Sequence, residues 1–119
     1  MTAKEDMLLH IATEGHEGFL RIGPEYVTEG HRYCAVKIEN NTAECRKNDF
    51  AIVDMDAAVE VGDRVLLSER GVLFVRRLFE DNDGGYMLQP LEGSRQKPLF
   101  VRDWQPLVIG KIEKFLGAK

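Results

Sequence analysis

Between Val59 and Leu91 the chain reads VEVGDRVLLSERGVLFVRRLFEDNDGGYMLQPL, three short apolar runs separated by turn formers. That pattern limits the fold more than any other feature. RVLLSE and GVLFVRRLF flank Glu69, Arg70 and Gly71, which is a hairpin arrangement. EDNDGG is a dense cluster of turn residues, and YMLQPL stops near Pro90. The stretch is therefore a β meander. One feature disturbs it: Arg76 and Arg77 interrupt the most apolar strand. Strand side chains alternate between faces, so Arg76 points to the side that Val72, Phe74 and Leu78 occupy. Either it is a buried charge with a partner, or its stem lies on apolar neighbours and its head reaches water.

The same pattern continues on both sides. YCAVKIE and FAIVD precede the meander; LFVRD and PLVIGKIEKFL follow it. In the last of these Val108 and Lys111 cannot both be interior, so Gly110 is expected at a bend or bulge. Seven or so short strands at this spacing define a mainly β domain, assigned to residues 32–119. Residues 1–31 form a separate amino-terminal segment. Thr2 and Glu5 have capping-box spacing, and Met7, Leu8 and Ile11 make one apolar stripe, which predicts a short helix stopped at Gly15 and Gly18. This segment is expected either as a partner-facing arm or as a helix packed on the domain, with FLRI as one short strand.

The 119 residues suit one domain, and a hydrophobic content of 44% suffices for one core. A net charge of −4 argues against a general nucleic-acid binder, so direct binding of nucleic acid is not expected. No apolar run approaches the roughly 18 residues of a membrane span. MTAKEDMLLHIATEGHEG lacks the long apolar centre of a secretion signal, which predicts a cytoplasmic protein. Cys34 and Cys45 lack CxxC spacing and are expected as free thiols rather than a disulfide. His10, His16 and His31 do not fall at metal-ligand spacing, so neither metal nor cofactor is implied. NNT at residues 40–42 is read as a turn despite matching a glycosylation sequon. Trp104 beside Arg102 and Phe100 is either a core residue or part of an interaction patch.

From Val36 onward five phrases occur in a telling order: KNDFAIVD, VEVGDRVLL, VLFVRRL, GYMLQPL and LVIGKI. In this order the chain resembles the carboxy-terminal domain of LexA, of lambda-type phage repressors and of UmuD, which share the S24 peptidase fold. The resemblance covers about two-thirds of the chain. It implies a β fold of the LexA and signal-peptidase kind. It also implies a serine nucleophile and a lysine base. The family's lysine sits in the phrase that here reads FVRRL, at Arg76. Ungapped alignment puts Glu39 in the serine slot, a slip of one or two gives Asn40 or Asn41, and the nearby hydroxyl and thiol groups are Thr42, Cys34 and Cys45.

Arginine keeps its proton under protein conditions and cannot act as the base of a Ser–Lys dyad. Glutamate is no ordinary acyl-transfer nucleophile. The resemblance therefore implies a peptidase-like domain without the dyad. Glu39 and Arg76 are expected to face each other and pair, because a matched charge offsets part of the desolvation of a buried guanidinium. Three functions compete: a non-catalytic interaction and dimerisation module, in phage or stress-response transcription regulation; a peptidase with a displaced nucleophile such as Thr42 or Cys45; and a small β-barrel-like ligand or nucleic-acid module. The residues before Tyr33 are too few for a helix-turn-helix reader, so the first reading acts by binding itself or a repressor-like regulatory protein. The carboxy-terminal strand carries apolar groups on both faces and is expected as an exposed edge. Leu107, Ile109, Ile112 and Phe115 are the expected homodimer contacts.

Overall fold

A computed structural model of the protein describes residues 5–13 and 18–117. Nine strands form one sheet: β1 (Met7–Ile11), β2 (Phe19–Ile22), β3 (Tyr33–Lys37), β4 (Phe50–Asp54), β5 (Arg64–Glu69), β6 (Val72–Glu80), β7 (Tyr86–Pro90), β8 (Leu99–Val101) and β9 (Val108–Leu116). A single 3-10 turn, Pro24–Tyr26, is the one helical element among the described residues. The strands lie in the order β2-β1-β3-β4-β9-β5-β6-β7-β8. The mainly β class is as expected from the alternating runs and their turn chemistry.

The meander forms as its residues dictate. β5 and β6 pair from Arg64↔Arg77 to Glu69↔Val72, leaving Arg70 and Gly71 as a two-residue loop. Both loop residues have positive φ, 53° and 79°. That matches the twist of the flanking strands, and glycine at the second position accepts it without strain. β7 continues the meander from Glu80↔Tyr86 to Arg76↔Pro90. The pairing stops there, where proline supplies no N–H for the ladder.

The amino-terminal helix is corrected. Met7–Ile11 is a strand, antiparallel to β2 and parallel to β3 through His10↔Cys34 and Ile11↔Ala35. Its alternation is clean: Leu9 and Ile11 are buried, while Leu8 and His10 are exposed. Leu9, Ile11, Ile22 and Val27 share a core cluster with Ala35 of β3 and Ile52 of β4, so the hairpin β1–β2 extends the sheet. The expected cap at Thr2 and stop at Gly15 lie outside the described residues.

The carboxy-terminal strand also differs from expectation. β9 lies inside the sheet, with β4 on one side and β5 on the other. It is no edge. Ile112 is 2% exposed and belongs to the central core cluster with Val53 and Leu66. A charge there would be buried without a partner and would unfold the chain instead of freeing a monomer. Two register shifts let β9 serve both neighbours. Against β5 the pairing jumps from Gly110 to Val108, and against β4 from Lys114 to Ile112. The first shift adjoins Gly110, as the sequence predicts. Any Cβ at Gly110 would lie 2.6 Å from the Asp54 carbonyl oxygen, so the close approach of β4 requires glycine.

Candidate functional site

A cleft of about 880 Å³ opens where strand pairing runs out. On one side β3 continues as Ile38, Glu39 and the turn of Asn40, Asn41 and Thr42. On the other lie residues 71–75, the hairpin loop and the first half of β6. β6 pairs with β7 only from Arg76 onward, so Val72–Val75 has strand pairing on its β5 side alone. Leu91 and residues 93–96 close the end, and Thr13 and Lys37 form the rim beside β1. Ile38, Leu66 and Leu91 give the cleft an apolar floor that belongs to the central core cluster.

The turn that carries the nucleophile candidates is held from several directions. Asn41 Oδ1 accepts the Lys47 N–H at 2.8 Å. Thr42 N–H donates to the Cys45 carbonyl at 2.8 Å, and Ala43 N–H donates to the Glu92 carbonyl at 2.7 Å. Thr42 Oγ1 accepts the backbone N–H groups of Glu44 and Cys45, each at 3.2 Å, and lies 3.2 Å from Cys45 Sγ. Burial pushes the Cys45 thiol up, with the Thr42 contact partly opposing it; burial alone pushes Cys34 up. The hydroxyl is thus a turn acceptor, and its one side-chain neighbour is a thiol that resists ionisation. Neither of the two has a basic side chain in hydrogen-bond contact among the described residues.

Glu39 and Arg76 do not meet. Glu39 is exposed on the cleft wall. Arg76 is 6% exposed and points to the side of Phe74 and Leu78, as strand alternation requires, while Leu73 and Val75 pack on the central cluster from the other side. Its guanidinium lies 5.0 Å from the centre of the Phe74 ring. Nη1 donates to the Lys97 carbonyl at 2.6 Å, and Nε is buried with no hydrogen-bond partner. Among the described residues no carboxylate forms an ion pair with Arg76. Burial lowers its pKa, and Glu69 offsets this from a distance. So the side chain is buried, it keeps its charge, and its main hold is one neutral carbonyl.

Arg77 next to it has a partner at each Nη. Nη2 donates to Glu44 Oε1 at 2.7 Å and Nη1 to the Gly62 carbonyl at 2.9 Å. Arg64 shares the same glutamate at 3.5 Å and lies over the Phe115 ring at 4.9 Å. Of the expected dimer contacts, Leu107, Ile109 and Phe115 are half-buried against the domain's own clusters. Trp104 packs edge-on to Tyr86, 6.4 Å between ring centres, and belongs to the core side of its alternatives. Both cysteines are free.

Two features were not read from the sequence. Lys37 lines the cleft, because β3 runs past its last pairing with β1. Asp54 is 2% exposed and accepts from His31 Nδ1 at 2.7 Å and from Asp56 N–H at 2.9 Å. A charged residue closing the apolar run FAIVD was the one signal for it. This cluster ties the loop before β3 to the end of β4, away from the cleft. Among the described residues no three His, Cys, Asp or Glu side chains gather as a metal site, and no helix is long and apolar enough to cross a membrane.

Comparison with protein families gives one match: the model described as Peptidase S24-like aligns with residues 8–112. No curated protein matches the chain. The matched span begins within β1 and ends within β9, so it takes in the amino-terminal hairpin and the cleft together.

Proposed function

Because the chain belongs to the Peptidase S24-like family, we propose that it is a non-catalytic member whose cleft holds a polypeptide segment without cutting it. One observation carries the reading. Arg76, which the resemblance sets at the place of the family's lysine, is a buried guanidinium held by the Lys97 carbonyl. A guanidinium supplies no base at any working pH. Thr42 and Cys45 offer no activated nucleophile in its place, since one is a turn acceptor and the other a thiol pushed up by burial. What remains is a cleft with an apolar floor, a polar rim and a stretch of β6 without a second strand. Such a surface suits an extended polypeptide, which adds main-chain hydrogen bonds along a free strand edge.

The reading includes self-association and a role in phage or stress-response transcription regulation in the cytoplasm, which the likeness to LexA, UmuD and the repressors implies. Ile112 is too buried to take part. Of the expected contacts, Leu107, Ile109 and Phe115 retain some exposure and stay as candidates. Sedimentation across a concentration series tests this part.

The competing reading, a peptidase with a displaced nucleophile, draws on one fact: Lys37, Thr42 and Cys45 line one cleft. Prolonged alkaline incubation followed by intact mass measurement separates the two. The expected outcome is an unchanged mass. A discrete truncated species that disappears on Thr42→Val, Cys45→Ala or Lys37→Met overturns the non-catalytic reading.

A further inference from the structure

The buried arginine and the cleft share a wall. Phe74 lines the cleft and also carries the guanidinium against its ring. Gln96 lines the cleft as well, and the next residue, Lys97, supplies the carbonyl that takes Nη1. Arg76 therefore sits next to the cleft wall, against the Phe74 ring and the carbonyl of the residue after Gln96. It is buried, yet among the described residues its Nε has no hydrogen bond and no carboxylate pairs with it. A charge held this way is costly. It persists at low cost only when something completes its coordination.

The cleft also differs in charge from the rest of the molecule. The chain carries a net charge of −4, yet among the described residues the charged side chains of the cleft lining are Lys37 and Arg95 against Glu39. Arg76 next to the wall and Lys97 beside it add to the positive side. Residues 95–98, the segment over Arg76, are exposed and irregular, so moving them breaks no strand pairing.

Building on the cleft reading above, we infer that the missing partner of Arg76 is a carboxylate brought in by the bound polypeptide. The ligand is an extended segment with an aspartate or glutamate positioned to enter between Phe74 and Gln96. There the carboxylate meets Nε and the remaining guanidinium edge in a forked pair, the geometry that arginine offers and lysine does not. Arg95 and Lys37 at the rim contribute attraction at longer range.

The test is a selection from a randomised nonapeptide library on the immobilised, folded full chain, repeated with Arg76→Met and Arg76→Lys. Enriched peptides are then measured by fluorescence polarisation, each against its amide counterpart (Asn for Asp, Gln for Glu). The expected result is an acidic residue at one fixed position in the enriched pool. The acid should bind roughly tenfold more tightly than the amide, as expected of a buried charge-assisted hydrogen bond. That preference should vanish in Arg76→Met and shrink in Arg76→Lys. Arg76→Met keeps the length of the stem, and its circular dichroism and thermal melt establish that it folds. Enriched peptides without a fixed acid, or a preference that survives in Arg76→Met, overturn the inference and leave the cleft reading standing. No enrichment at all removes both. Cleavage of the enriched peptides removes the non-catalytic reading instead.

Discussion

At the middle of β6 two adjacent arginines meet opposite conditions. Arg77 reaches one face, where Glu44 and the Gly62 carbonyl take both ends of its fork while the side chain stays 35% exposed. Arg76 reaches the other face, where it is nearly enclosed and holds one backbone carbonyl. The chemical group is the same and the separation is one residue. Only the face differs. Arg77 is satisfied within the chain, in the way a surface charge usually is. Arg76 is not, and a buried charge left incomplete is the usual sign of a residue retained for something other than stability. Identical residue types next to each other thus carry no shared role, because the pleat sends them into different environments.

The contrast can be broken most strongly through the packing of each face. Leu66 and Leu78 are both 0% exposed; Leu66 lies in the central cluster beneath the cleft, Leu78 in the cluster on the Arg76 side. Each change to alanine should cost about 2–5 kcal/mol in urea unfolding. A much smaller cost for Leu78→Ala would mean that the face around Arg76 is loosely packed, and its guanidinium wetter than described.

The arginines themselves come next. Arg76→Met should leave the stability of the free protein unchanged or raise it, by up to about 4 kcal/mol, because it removes a buried charge with no counter-ion. Arg77→Met should lower stability by about 1 kcal/mol, and less at high salt, because its pair is partly exposed. The thermal melt should therefore fall in Arg77→Met and hold or rise in Arg76→Met. A clear loss in Arg76→Met would assign that residue a structural role and erase the distinction.

The smallest expected effect comes from a third arginine, which pairs on the open surface. Arg32 holds the Asp56 carboxyl at about 2, first by its side-chain hydrogen bonds and then by its backbone N–H. The folded value lies below the ordinary 3.8, so this pair stabilises the fold above that value and the contribution fades as the pH falls through about 2. A melting-temperature profile in acid should lose the side-chain part of that slope in Arg32→Met, while the backbone N–H of residue 32 keeps the rest. Arg76, with no titrating partner in contact, should leave the same profile unaltered when changed to methionine.

Much of the sheet was legible because local chemistry fixes it. The Arg70-Gly71 loop, the EDNDGG turn and the runs between them specify the meander without help from distant residues. The period of two also assigned Arg76 correctly to the side of Phe74 and Leu78. What failed depends on partners far away in the chain. Met7, Leu8 and Ile11 fit a helical stripe as well as a strand, and it is pairing with Tyr33–Lys37 that decides for the strand. The strand PLVIGKIEKFL reads as an edge because its apolar groups lie on both faces. The same composition serves a strand that touches three core clusters, with shifts in register that bring Val108, Ile112 and Leu116 to different ones. The Glu39–Arg76 pair failed for a further reason. Alignment gives order along the chain but not the depth of a side chain: Phe74 and Val75, on opposite faces of β6, both line the cleft, while Arg76 is buried.

The position of β9 also orders events in time. β4 and β5 follow one another in the chain, yet they have no ladder together; each pairs with β9. Chain order brings β1–β4 and β5–β8 out before the strand that joins them, so neither group can complete its inner edge until β9 follows. Residues 108–116 leave the ribosome after both and close the seam between them. Closing the sheet thus requires long-range pairing, the kind of contact that forms slowly. Until β9 pairs, the inner edges of β4 and β5 are the ones open to a wrong partner.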